Sequence, residues 1–179
     1  AFDHYTAYRD ARSGLMIRVF GSILCAYLTI VFCGSIVIGQ ELAEETIKEE
    51  VLAAWDAYIA AFSAGQTDIV ANRVYSTPSF QLGAQGAAVR LTATDTKVAF
   101  DEIHRDLAAE RYSHSETDTA TICVLNSGSA LLTAHFTRYR NDNSVLTQGA
   151  SAYVFAKFDG DWRIMSIIAN PKAKLINCD

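Results

Sequence analysis

The sequence predicts an α+β fold, with about three N-terminal helices packed on one face of a curved antiparallel sheet. A helical repeat of apolar residues extends from Glu44 to Ala64. After Ser113 the pattern changes to alternating, β-branched segments that hairpin turn sequences separate. Helices followed by a continuous run of strands are typical of α+β domains, in which the helices gather on one side of an antiparallel sheet.

The first two helices are indicated by apolar spacing and by residues that end helices. In the first segment, apolar side chains recur three and four residues apart, at Ile47, Val51, Trp55, Tyr58, Ile59 and Phe62. This spacing places them on one face of a helix, which Gly65 is expected to end. Thr67–Asp68 is expected to cap a second helix over Ile69–Tyr75, and Pro78 to end it.

A short strand and a turn are expected before the third helix. Phe80–Leu82 is strand-like, and Gly83–Arg90 carries small residues around Gly86 that indicate a turn. Thr94 is expected to cap a third helix, in which apolar residues recur in helical rhythm as far as Leu107.

Four antiparallel strands are predicted in the second half of the chain. Their turn sequences are Asn126–Gly128, Asn141–Asn143 and Asp159–Gly160, and Asp-Gly is a strong hairpin signal. The strands between these turns are Ser113–Leu125, Ser129–Arg140, Val145–Phe158 and Trp162–Ile168. The space between helices and sheet is where such a fold places an apolar pocket.

The N-terminal part of the chain has the pattern of an export segment. Val19–Gln40 is uncharged and mostly apolar, and three arginines precede it. We expect residues 1–15 to be an upstream extension and 16–39 to be a cleavable export signal. An uncleaved membrane anchor is the alternative, because about 20 apolar residues span a bilayer. Residues 40–179 would then be a periplasmic or secreted domain, or one held at a membrane by that anchor.

Two cysteines lie in the predicted mature domain. In an oxidising compartment, Cys123 and Cys178 can pair and hold the C-terminal tail against a strand. The alternative is two unpaired thiols, one of them buried.

Composition argues against several classes of function. The net charge is −5, and nucleic-acid binding would need a basic surface. The sequence has no Gly-rich phosphate loop, no Cys-x-x-Cys pair and no His-Glu-x-x-His motif. We therefore expect no cofactor, no metal and no nucleic-acid partner.

Three passages carry a resemblance to a known superfamily. They are Tyr58–Asp68, Val74–Phe80 and the closing stretch Phe155–Ile164. With them, residues 44–170 resemble the nuclear transport factor 2-like superfamily, in particular its SnoaL-like and ketosteroid-isomerase-like branch. The resemblance implies a cone-shaped half-barrel with a deep pocket, and a homodimer formed through the sheet. It leaves function open, because this fold hosts many unrelated activities.

The resemblance also says which residues occupy catalytic positions. Tyr58 matches the helix tyrosine that holds an enolate oxygen in isomerases of this type. The carboxylate base falls at about Leu82 and the late-strand acid at about Val154, so two of the three groups are apolar and the usual steroid isomerisation is not expected. The Asp-Arg-Asp set of epoxide-hydrolysing members is not found in this sequence, in which Arg138 and Asp118 are the nearest candidates.

Two histidines are the best remaining candidates for acid–base chemistry. His104 lies beside the apolar face of the third helix. His135 shares one side of a strand with Thr133, Thr137 and Tyr139. A His–His or His–Tyr pair facing the pocket would act near neutral pH, with Tyr58 as the electrophilic partner. The alternative for each histidine is a structural ring with one hydrogen-bonded nitrogen.

Twelve residues are expected to line the pocket, although any core would contain the same types. They are Trp55, Tyr58, Phe62, Tyr75, Phe80, Leu82, Phe100, His104, His135, Tyr139, Tyr153 and Phe155. The leading interpretation is an exported domain that binds a small, largely apolar molecule. The alternatives are an isomerase, cyclase or dehydratase using a pocket histidine and tyrosine, and a dimerisation or assembly module. An open pocket lined only by apolar groups favours the first interpretation, an open pocket that holds both His135 and Tyr58 favours the enzyme, and a filled pocket favours the third.

Overall fold

A computed structural model describes residues 41, 43–170 and 178, which form three helices and six strands. The helices are α1 (43–63), α2 (Thr67–Ile69, continued by a π-helical turn, Val70–Val74) and α3 (Ala93–Ala109). The strands are β1 (Tyr75–Gly83), β2 (Gly86–Arg90), β3 (Tyr112–Asn126), β4 (Ser129–Arg140), β5 (Val145–Phe158) and β6 (Asp161–Asn170). The predicted extension 1–15 and export segment 16–39 lie outside these residues. Within the described part of the chain, no helix is both long and apolar enough to cross a membrane.

The sheet has the order β2-β1-β6-β5-β4-β3. The α+β prediction is confirmed, but the sheet is mixed, because β1 runs parallel to β6 while all other pairs are antiparallel. The predicted turn Gly83–Arg90 is wrong: Gly86–Arg90 forms β2, with Ala87 opposite Leu82 and Arg90 opposite Ser79. Alanine and glycine give this strand little β-propensity, so its pairing with β1 overrides the local sequence.

Helix α1 packs through the predicted apolar face. Val51 and Trp55 are fully buried, and Tyr58 and Phe62 nearly so. The helix ends at Gly65, whose φ of +67° suits a residue without a Cβ atom. The Gly65 amide donates to the carbonyl of Phe62. The first helix and its stop signal are therefore as the sequence predicts.

The predicted caps of the other two helices are wrong. Thr92, not Thr94, caps α3: its Oγ1 accepts from the Asp95 amide at 3.1 Å, and Asp95 Oδ2 accepts from the Thr92 amide at 2.9 Å. This reciprocal arrangement needs an acidic or amide side chain three residues after the cap, where Thr94 would have Lys97. Thr67 does not cap α2; its hydroxyl donates to Asp101 and so ties α2 to α3.

Two further features of the second helical piece differ from the prediction. Helical structure ends at Val74, and Tyr75 already belongs to β1. Pro78 lies inside β1 rather than at a helix end. Strand β1 is therefore longer than the predicted Phe80–Leu82.

The core lies between the helices and the inner face of the sheet. Alternation along β4 directs Ala130, Leu132 and Ala134 into it. Cys178 is disulfide-bonded to Cys123 of β3, so the pairing that the sequence left open is present and the alternative of two unpaired thiols is not. The bond joins residues 55 positions apart in sequence and holds Cys178 on β3.

Candidate functional site

A cavity of about 150 Å³ lies between helices α1 and α3 and the inner face of the sheet. Its wall is mainly aromatic and aliphatic, with Trp55, Tyr58, Ile59, Phe62, Tyr75, Phe100, Ile103, Phe136, Tyr153 and Ile167. Five polar residues complete the lining: Gln81, Arg90, Ser115, Arg138 and Ser151. The cavity therefore combines apolar walls with a few polar groups, as small-molecule sites do.

The aromatic wall is centred on Tyr58. Its ring centroid lies 5.4 Å from that of Trp55, 5.9 Å from Tyr75 and 6.1 Å from Tyr153. The Trp55 indole is fixed by donation from Nε1 to Thr117 Oγ1 at 3.0 Å. Tilted and edge-to-face contacts of this kind favour one ring arrangement over others. The wall is therefore largely preformed.

Glycine at one position of β5 gives room for another ring of the wall. Gly149 lies opposite Phe136 of β4. A Cβ atom at residue 149 would stand 2.5 Å from Phe136 Cζ. The absence of a side chain at Gly149 thus lets Phe136 lie flat over β5, and this is a close approach that only glycine permits.

Three tyrosine hydroxyls are buried in the wall. Burial raises the pKa of Tyr58, and it raises the pKa of Tyr75 and Tyr153 well above the usual value. Smaller opposing effects come from Arg138 on Tyr58 and Tyr153 and from Arg90 on Tyr75. The hydroxyl of Tyr75 is buried near that of Tyr58, and their interaction affects the pKa of both, but Tyr75 makes no hydrogen bond of normal geometry with a described residue. All three are neutral donors at physiological pH, not bases.

Arg90 brings a positive charge into the lining. It ends β2, is 8% exposed, and its guanidinium carbon lies 5.7 Å from the Phe100 ring centroid. Its Nη2 donates to Gln81 Oε1, but its Nη1 is buried without a partner in the described part of the chain. The neutral amide of Gln81 does not balance the charge of the guanidinium.

Arg138 brings a second positive charge. Its guanidinium carbon lies 5.3 Å from the Phe62 ring centroid and 5.2 Å from that of Phe136. Its Nε is buried and also lacks a hydrogen-bond partner among the described residues. No carboxylate of the described residues lines the cavity. Within residues 41, 43–170 and 178, no ion pair involves either arginine.

Six of the twelve residues predicted to line the pocket do so: Trp55, Tyr58, Phe62, Tyr75, Phe100 and Tyr153. Phe155 is buried in the core and borders a different, larger hollow with Glu50 and Trp162. The remaining five predicted residues, Phe80, Leu82, His104, His135 and Tyr139, are not part of the cavity lining.

The predicted pocket side of β4 is wrong. Phe136 and Arg138 line the cavity, so His135 between them points to the other face of the sheet. Tyr139 stacks on His114, with ring centroids 5.1 Å apart, rather than entering the cavity. The inward side could have been recognised from Leu132, Ala134 and Phe136, because apolar alternation marks the core side of a strand.

The prediction for β1 fails by one residue. Gln81 lines the cavity, so its neighbours Phe80 and Leu82 face away from it. In a strand, a shift of one residue exchanges the two faces completely. The residue that enters the cavity from β1 is therefore an amide, which cannot act as a carboxylate base.

His104 lies beside the cavity wall. Its ring is 4.7 Å from the ring centroid of Phe62, and its Nε2 is buried without a partner among the described residues. Burial, followed by the charge of Arg138, lowers the pKa of His104. The imidazole is thus neutral at physiological pH.

The Arg138–Asp118 pair suggested by the resemblance does not form. Thr137 Oγ1 donates to both Asp118 carboxylate oxygens at 2.9 Å. Thr137 and Arg138 are consecutive in β4, so their side chains point to opposite faces. Among the described residues, no three His, Cys, Asp or Glu side chains are grouped as a metal site would require.

Comparisons with known proteins place the chain in a family. The family model of an NTF2-like protein (DUF6841) matches residues 48–172. An NTF2-like protein with a cystatin-like fold from Novosphingobium aromaticivorans is 15% identical, with a TM-score of 0.61 over 77% of this chain and 90% of that one. No curated protein matches the sequence.

Two other solved structures support the same fold. A putative calcium/calmodulin dependent protein kinase II association domain from Xanthomonas campestris is 22% identical, covers 69% of this chain and 88% of its own, and has a TM-score of 0.52. A nuclear transport factor 2-like protein from Salmonella enterica is 18% identical. The match covers 73% of this chain and 94% of that one, with a TM-score of 0.54. At these identities the structures show the fold alone, while the family match spans more than half of the sequence. The chain therefore belongs to the NTF2-like protein family DUF6841, with the cone-shaped α+β fold.

Proposed function

We propose that this domain binds a small molecule in the cavity between helices and sheet. The observation that carries the proposal is an aromatic cavity of about 150 Å³, whose lining includes residues with buried polar atoms that have no hydrogen-bond partner in the described part of the chain. Unpartnered buried polar atoms cost free energy, which a ligand with matching groups would recover.

The volume of the cavity limits the size of the ligand. An apolar cavity of about 150 Å³ holds one benzene molecule. A single ring or a short branched chain fits this space, and a four-ring steroid does not. The apolar body of the ligand would lie against Phe62, Phe100 and Phe136.

The lining supports binding more than proton-transfer catalysis. As far as the structure describes the chain, the lining contains no carboxylate and no imidazole, and its three tyrosines have raised pKa values. A general base must lie within hydrogen-bond reach of the proton it removes. An isomerase, cyclase or dehydratase would need His104 to reach a ligand from behind Phe62. We therefore place small-molecule binding ahead of these reactions.

Export is part of the proposal. The Cys123–Cys178 disulfide supports it, because such bonds persist in oxidising compartments and are rare in the cytosol. The apolar pattern of 16–39 supports it independently. A homodimer formed through the sheet is proposed from the family resemblance.

Native mass spectrometry of residues 40–179, expressed with export, tests the proposal. We expect a dimer that carries a small molecule in stoichiometric amount, and denaturation should release this molecule for identification. A bare protein under several purification conditions would count against a retained ligand and favour an assembly module. A monomer that carries the ligand would remove only the homodimer.

A further inference from the structure

We propose that the ligand is a small carboxylate, whose carboxylate group binds Arg90 and Arg138 while its apolar body lies on the aromatic wall. This inference rests on the proposed function and names the chemical class of the ligand. It depends on the two arginines and on the absence of any acidic residue in the lining.

The first step is the state of Arg90. A guanidinium is always charged and offers five N–H donors. At 8% exposure Arg90 has lost most of its water, yet its charge has no carboxylate partner and its Nη1 has no acceptor among the described residues. Buried charges are normally paired, because an unpaired one is costly. Arg90 is therefore a buried cation without an anionic partner among the described residues.

The second step is that Arg138 lines the same cavity and also has a guanidinium nitrogen without an acceptor. It lies over Phe62, as Arg90 lies over Phe100, and these two rings are 6.1 Å apart. The Nε of Arg138 has no acceptor among the described residues. Both arginines line the one cavity, so one anion entering it encounters both charges.

The third step is the shortage of acceptors compared with donors. The chain has 20 acidic and 15 basic residues, yet none of the acidic residues in the described ranges lines the cavity. Arg90 and Arg138 line it, and their guanidiniums are donors only. A carboxylate is acceptor-only and matches the planar fork of arginine. The largely apolar wall favours a carboxylate with an apolar body over an inorganic anion.

Calorimetry with benzoate and benzamide tests this inference on the full chain expressed with export. The two probes share ring and shape, but only benzoate is charged. We expect benzoate to bind at least about tenfold more tightly than benzamide, since hydrogen bonds between ions are stronger than neutral ones. Arg90→Met and Arg138→Met should each remove most of this preference, because each change weakens benzoate binding far more than benzamide binding. Arg105→Met, a change at a surface arginine of α3, is the matched control and should keep the preference.

The outcomes separate this inference from the proposed function. If benzamide binds as tightly as benzoate, the cavity binds small molecules but the anion preference is wrong. If benzoate preference survives in both arginine variants, the carboxylate lies elsewhere and the inference is also wrong. If neither probe binds at about 10 mM and native mass spectrometry finds no ligand, the proposed function itself fails. The comparison of probes on the unmodified protein holds even if one variant does not fold.

Discussion

Replacement of Arg90 by methionine should leave the stability of the ligand-free protein nearly unchanged. The change removes a charge-assisted hydrogen bond to Gln81, worth about 1.5–3 kcal/mol, and a cation–π contact with Phe100, worth about 0.5–2 kcal/mol. It also removes the desolvation penalty of a buried charge, several kcal/mol per ion. Methionine has a similar length and fills the space with apolar atoms. These opposing effects should cancel to within about 1.5 kcal/mol.

The assay is urea unfolding followed by circular dichroism, with Arg105→Met as a surface control. A loss of about 3–5 kcal/mol is what removal of one partner from a buried ion pair causes. Such a loss for Arg90→Met would refute the view that this arginine has no anionic partner in the ligand-free protein. Added benzoate should raise the unfolding midpoint of the unmodified protein much more than that of the variant, because a ligand stabilises the folded state in proportion to how tightly it binds.

Three further predictions follow from the fold and the cavity wall. Tyr58→Phe should weaken ligand binding about tenfold by loss of one hydrogen bond, while the free energy of unfolding changes by less than about 1 kcal/mol. Unchanged affinity in calorimetry would remove Tyr58 from the site. In urea unfolding, Thr92→Ala should lower the free energy of unfolding by about 1 kcal/mol through loss of the α3 cap, and Thr94→Ala by less than about 0.5 kcal/mol. The opposite ranking would place the cap at Thr94. Cys178→Ser should lower stability by about 4 kcal/mol, because the bond to Cys123 closes a 55-residue separation; an unchanged midpoint would mean that the bond does not form.

Elements with strong local signals could be predicted from the sequence. The face of α1 follows from residues three and four apart, and its end from Gly65. The hairpins follow from Asn-Ser-Gly and Asp-Gly turns. Each of these signals lies within a few residues, so one sequence is enough to read it.

Elements that depend on partners distant in sequence could not be predicted in the same way. Strand β2 is made of Gly-Ala-Ala-Val-Arg and exists because β1 pairs with it. The parallel pairing of β1 with β6 joins segments more than 80 residues apart in sequence, and no local pattern encodes it. The cap at Thr92 is an exception, because its signal, the acidic residue Asp95 three positions later, lies within the local sequence.

Only part of the cavity lining could be predicted from the sequence, for a related reason. Tyr58, Phe62 and Phe100 lie on helix faces that the periodicity identifies. The prediction takes the inward side of β4 from its histidine rather than from its apolar residues. It therefore places His135 in the cavity, where the structure has Arg138. Arg90 could not be found from sequence, because it reaches the cavity only through β2.

A crystal structure of the protein with bound benzoate would test the central claim most directly. The account predicts the ring against Phe62 and Phe100, and carboxylate oxygens about 2.7–2.9 Å from guanidinium nitrogens of Arg90 or Arg138. A cavity closed by its own side chains, or benzoate bound with its carboxylate directed away from both arginines, would contradict the account.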